Sequence, residues 1–176
     1  MTHKSGPNPL SPEQVADVIA AVERMTLAEK GQLADRMYEE QPAILAVALA
    51  AVRTGVSPQL QDALIVMAMV IFEALREELK EHGPIDESAI DTAAERNVAM
   101  WQFLEGEQGD AFRRSVAATL EGYPEPCLIA YVVSRLNEFA EEEQAQVMLQ
   151  IKSLLDACVQ AKWGSAPLPE ARRPSA

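Results

Sequence analysis

The amino-acid sequence predicts an all-α protein of about eight helices arranged as antiparallel helical hairpins. Helix caps and stops recur along the chain, and the apolar residues between them repeat at helical spacing. Strand signals, such as Asn-Gly turns between alternating β-branched runs, are missing. With 176 residues and a hydrophobic fraction of 48 %, the chain is long enough to bury one core without metals or disulfide staples. One domain is expected over residues 11–163, between a disordered segment at 1–10 and a disordered, Pro-rich tail at 164–176.

The first helix is signalled by Ser11 as N-cap, Pro12 at the first helical position and Gln14 placed to reach back as a capping box. Its apolar stripe is Val15, Val18, Ile19 and Val22. Thr26 and Glu29 repeat the capping pattern for a second helix, whose expected inner face is Leu27, Ala34, Met37 and Tyr38, with Gly31 admitting close approach of a neighbour. That helix ends before Pro42, whose ring disfavours helical geometry in the preceding residue. A third helix, apolar nearly all round, runs from Pro42 through Ile44, Leu45, Val47, Leu49 and Val52 to a stop at Gly55.

The fourth helix is expected to be the longest, opening at Ser57-Pro58 and continuing to His82 before Gly83. At 100° per residue its main face is Leu60, Leu64, Met67, Ala68, Ile71 and Leu75, yet Val66, Met69 and Val70 lie opposite, between Asp62 and Glu73. A helix apolar on two sides is either sandwiched inside the fold, here with the third helix as a central layer, or presents a patch to a partner. On the second alternative Asp62, Val66, Met69, Val70 and Glu73 form a partner or homodimer interface.

Residues 84–87 connect to a fifth helix with Ile90, Ala94, Val98, Trp101 and Leu104 at helical spacing. A sixth follows Gly109-Asp110 with Phe112, Val116 and Leu120, and a seventh follows Pro124 with Leu128, Ile129, Val132, Leu136 and Phe139. The eighth begins in Glu141-Glu142-Glu143, acidic residues suited to the positive end of a helix dipole, and carries Val147, Met148, Ile151, Leu154, Leu155, Cys158 and Val159. Pro42 and Pro126 both introduce an apolar helix, and apolar positions after them coincide at an offset of 84 residues. Two duplicated four-helix halves, 11–83 and 84–163, in a bundle or short solenoid-like array are one reading of this, and chance alignment of helical hairpins is the other.

Charge and motif content narrow the function. A net charge of -12 opposes nucleic-acid and anionic-membrane binding, which depend on neutralising negative charge. The N-terminus has no apolar signal core, and the run at residues 63–72, as long as any apolar run in the chain, is half of the ~20 needed to cross a bilayer, so a cytoplasmic protein is expected. On antiparallel neighbouring helices, Cys127 lies level with Lys152 and Cys158 stands roughly 9 Å beyond. The usual Cα separation of a disulfide is about 4.4–6.8 Å, so free thiols are expected.

His82 is the only histidine within the expected domain, at a helix end where a cation suits the dipole. The residue three before it is Leu79, not the Glu of a Glu-x-x-His metal repeat, and nucleophilic triads lack a base. The glycines serve as helix stops and form no phosphate-binding loop. No metal or cofactor is therefore expected. The acidic groups Glu77, Glu78 and Glu81, and Glu138, Glu141, Glu142 and Glu143, read as solvated helix ends.

The functional expectation is a noncatalytic helical protein-interaction module, an adaptor, inhibitor or assembly factor, whose partner is another protein or a second copy of itself. The alternative is a small-molecule-binding or enzymatic helical protein with a pocket between the halves that uses Asn97, Cys127 and Arg135. Acidic mimicry against a basic enzyme is a third class that fits the charge.

Overall fold

Both capping boxes form. Ser11 Oγ accepts from the Gln14 backbone N–H while the Gln14 side chain accepts from the Ser11 N–H at 2.8 Å. Thr26 and Glu29 repeat the exchange, and these caps open α1 (Pro12–Arg24) and α2 (Leu27–Glu40). In this computed structural model residues 8–50, 55–105 and 122–164 are described. The remaining helices are α3 (Pro42–Ala50), α4 (Pro58–Ala74), α5 (Arg76–His82), α6 (Glu87–Glu105), α7 (Pro126–Leu136) and α8 (Glu141–Trp163). No strand occurs among the described residues, so the fold is all-α. The helix expected after Gly109-Asp110, with Phe112, Val116 and Leu120, lies outside the described residues, as do most of the two terminal segments.

Helix α4 ends eight residues earlier than its apolar pattern implies. The chain turns by 70° at Leu75, and residues 76–82 form the separate short helix α5. Sharp helix bends ordinarily come from Pro or Gly, and neither stands at this break. Tertiary contacts supply the cause. Arg76 makes a two-pronged bond to Glu40 at 2.9 and 3.2 Å, Arg36 pairs with Glu73 at 3.3 Å, and Leu75 and Leu79 are both buried. Gln41 then caps the end of α5: its amide N–H donates to the carbonyls of Gly83 at 3.0 Å and Leu79 at 3.4 Å, and its oxygen accepts from the Ile85 N–H at 2.8 Å. Gly83 has φ of 90°, a left-handed value that a side chain would strain, and it ends α5.

The central helices are α4 and α8. Helix α4 packs on α1, α2, α3, α7 and α8, while α8 packs most extensively on α6 and also on α3, α4, α5 and α7. Residues 151–159 of α8 are buried without interruption, and residues 67–72 of α4 likewise. The expected central layer of the third and fourth helices is therefore corrected: α3 buries Ala43, Ile44 and Ala48 but leaves Leu49 exposed, and α8 takes the central place. The internal offset finds only partial structural parallel, because Val159, 84 residues after Leu75, sits within unbroken α8.

The second face of α4 follows the sandwiched alternative, whereas the expected inner face of α2 is corrected. Met69 and Val70 are buried, Val66 is half-buried, and Glu73 is engaged by Arg36, so of the proposed α4 interface only Asp62 is exposed. Conversely, α2 buries Leu33 and Met37, whereas Leu27 is 88 % and Tyr38 68 % exposed, and a side chain at Gly31 would meet nothing within 4 Å.

These placements predict opposite outcomes for like substitutions. Val70→Glu places an unpaired carboxyl where no water reaches and should cost about 3 kcal/mol or more. Leu27→Glu should stay within about 0.5 kcal/mol of the parent. Urea unfolding followed by circular dichroism checks both, and a tolerated Val70→Glu would show that this face of α4 is not interior.

Candidate functional site

Burying α8 on all sides forces its polar residues to find partners within the protein. Lys152, Ser153 and Asp156 are buried on α8, and their partners come from Asn97 on α6 and Tyr123 in the segment before α7. Asp156 accepts three bonds: from Tyr123 Oη at 2.6 Å, Asn97 Nδ2 at 2.8 Å and Lys152 Nζ at 2.7 Å. Lys152 Nζ also donates to Asn97 Oδ1 at 2.8 Å and stands 5.6 Å from the centre of the Tyr123 ring. Asn97 Nδ2 reaches Ser153 Oγ at 3.1 Å, and that hydroxyl donates to the Leu149 carbonyl at 2.6 Å. Both N–H donors of the Asn97 amide and its oxygen are thus engaged, and the one carboxylate is matched by the one ammonium.

A second cluster lies nearby in sequence. Glu125 is completely buried, and its carboxylate accepts from Lys162 Nζ at 2.8 Å, Trp163 Nε1 at 3.1 Å and the Leu10 backbone N–H at 2.9 Å. Lys162, with a side chain 2 % exposed, also pairs with Glu78 of α5 at 3.1 Å. Tyr123 and Glu125, two residues apart, therefore fasten the segment before α7 to two places along α8, and Glu125 further ties down the chain entering α1.

The sequence-proposed pocket residues do not converge. Asn97 belongs to the α6–α8 network, Arg135 bonds Glu138 through Nη1 at 2.9 Å, and Cys127 is half-buried in the first turn of α7. Among the described residues no hydrogen bond joins any two of them. Both cysteines are free, and complete burial pushes the Cys158 thiol up, away from the reactive thiolate. His82 is exposed in the last turn of α5. Among the described residues no group of three His, Cys, Asp or Glu side chains is placed to hold a metal ion.

Shallow depressions mark the surface of the described residues, two of them beside α6 and at the end of α5. One, of about 500 Å³, runs along α6 over Asp91, Ala94, Val98 and Gln102. The other, about 190 Å³, lies beside Gln41, Leu79 and Gly83, whose polar groups already bond one another. Among the described residues no single helix is long and apolar enough to cross a membrane; α4 and α5 together have the length and composition but are bent by 70°.

The residues that sequence reasoning missed are Tyr123, Glu125, Lys152, Asp156 and Lys162. A faint signal existed in Lys152 and Asp156, an i, i+4 pair of opposite charge, but that spacing is common on solvated helix faces. Comparison of the chain with protein-family models, curated proteins and solved structures yields no match.

Removing Asp156 strands a buried ammonium, and Asp156→Ala should cost about 3–5 kcal/mol. The double variant Asp156→Ala with Lys152→Met should lose less than the sum of the two single changes, since the stranded charge is gone. Strictly additive losses in a denaturation cycle would mean that the pair is uncoupled.

Two phenols respond to alkali. Burial first, then the Asp156 charge and hydrogen bond, raise the Tyr123 pKa well above the ordinary 10.0. Burial likewise pushes Tyr131 up to about 12 against the opposing pull of Arg135. The folded state holds protons that the unfolded chain releases, so this stability is intact below pH 10.0 and is lost as pH climbs towards the folded-state values. Tyrosinate absorbance assigned by Tyr123→Phe difference should appear together with loss of helical signal. Ionisation of Tyr123 near pH 10.0 with helicity unchanged would contradict its enclosure.

Proposed function

We propose that this chain is a noncatalytic helical interaction module that acts as an adaptor, inhibitor or assembly factor through protein contact, with another protein or a second copy as partner. One observation carries the reading: the buried polar groups of the α6–α8 network are consumed by one another, while large apolar side chains of α2 stand outside. Acyl, phosphoryl or proton transfer needs a polar group free to meet a substrate. Asn97, Lys152 and Asp156 are instead committed at 2.7–2.8 Å. Leu27 and Tyr38, on one face of one helix, have no such commitment, and aromatic residues are enriched at protein interfaces.

The net charge of -12 favours a protein over a nucleic acid or an anionic membrane as partner. A cytoplasmic setting fits two free thiols, since oxidising compartments favour disulfides.

A photocrosslinking phenylalanine at position 38, installed in the native cell, should yield discrete protein adducts. The same probe at exposed position 17 on α1 should give little. Indistinguishable patterns at the two positions would remove the contact reading.

A further inference from the structure

We infer that α2 pairs with α2 of a second copy of this chain, parallel and in register, through the stripe Leu27, Gly31, Ala34 and Tyr38. The inference rests on the contact reading above and names the partner at that face. The four positions are spaced four, three and four residues apart, the d-a-d-a alternation of a coiled-coil seam. Leu27, Gly31 and Tyr38 are exposed and Ala34 is half-buried, so the outward seam is short of a partner. The small residues fall between the two large ones, and a side chain added at Gly31 would meet nothing within 4 Å, which leaves room for a helix to lie close.

Charge selects both the occupant and its direction. In this heptad frame Lys30 occupies a g position and Asp35 the following e position, and neither forms an ion pair among the described residues. In a parallel, in-register pair the g residue of one helix faces the next e residue of the other, so Lys30 meets Asp35 twice, once on each side of the two-fold axis. In an antiparallel pair g positions flank g positions and e positions flank e positions, so Lys30 and Asp35 fall on opposite sides of the seam and do not meet. A foreign helix would have to supply both complementary charges, whereas a second copy does so by symmetry.

Steric access agrees with this arrangement. The core side of α2, marked by Leu33 and Met37, lies about 110° round the helix from the seam, so the two bodies fall on opposite sides of the paired helices. The seam is only four positions long and buries far less than the roughly 1,600 Å² of a standard stable interface. Association is therefore reversible, with a Kd on the order of 10–100 μM.

Sedimentation equilibrium across that concentration range tests the pairing on the full chain. The parent should approach twice the mass of one chain as concentration rises, and Leu27→Asp or Tyr38→Glu should hold it at one chain with unchanged helicity. Lys30→Asp and Asp35→Lys should each weaken dimerisation at least about fivefold, from two surface ion pairs lost per dimer. The double exchange, Lys30→Asp with Asp35→Lys, should restore it. A single-chain mass throughout, or a dimer indifferent to Leu27→Asp and Tyr38→Glu, overturns the inference. A dimer that the single charge changes do not weaken overturns the parallel register. A monomer that still gives crosslinked adducts with another protein at position 38 overturns self-pairing while leaving the contact reading standing. A monomer with no adduct removes both.

Discussion

Nine successive buried residues in the middle of α8 impose the constraint from which most of the architecture follows. A helix enclosed on every side cannot send Lys152, Ser153 and Asp156 to water, and an unpaired charge there would cost several kcal/mol. The fold answers with Asn97 from α6 and Tyr123 from the segment before α7, both held at hydrogen-bond distance. Because these bonds are directional, they set the register of α6 against α8 more sharply than apolar packing alone can. Replacing buried ion pairs by apolar residues is often neutral for stability, so the network is better understood as fixing which arrangement forms than as holding it together.

The same logic places the Glu125 cluster. Its carboxylate gathers Lys162 and Trp163 from the end of α8 and the backbone of Leu10 ahead of α1, so chain segments distant in sequence share one acceptor. Gln41 does the corresponding work at the junction between α5 and α6, where it satisfies two carbonyls at the end of α5 and the Ile85 N–H. Each is a single polar side chain closing a junction that no apolar residue could close, because the groups to be satisfied are backbone donors and acceptors.

The helices and their starts were legible in sequence because caps act over three or four residues: Ser11 with Gln14, Thr26 with Glu29, and prolines at 12, 42, 58 and 126 all stand where helices open. The break at Leu75 was not, since its causes, Glu40 and Gln41, lie far away along the chain. The α8 network was hidden for a related reason: Lys152 and Asp156 look the same on a solvated face as in a core, and only the third dimension tells which. Of the residues read as pocket groups, only Asn97 entered a cluster, because a polar residue amid an apolar stripe must be paired wherever it is buried.

The exposure of the α2 seam is itself a product of the interior. Leu33 and Met37 turn one side of α2 into the core, and the ion pairs Arg36 with Glu73 and Glu40 with Arg76 clamp a second side against α4 and α5. The Arg76 bond holds the Glu40 carboxyl below its ordinary pKa, so the clamp stays charged at neutral pH. With those two sectors occupied, helical geometry leaves Leu27, Gly31 and Tyr38 nowhere to face but outward. Rotating α2 to hide them would expose Leu33 and Met37 and break both ion pairs. The apolar face is therefore held open by the same contacts that bend the chain at Leu75, and none of the described residues covers Leu27 or Tyr38.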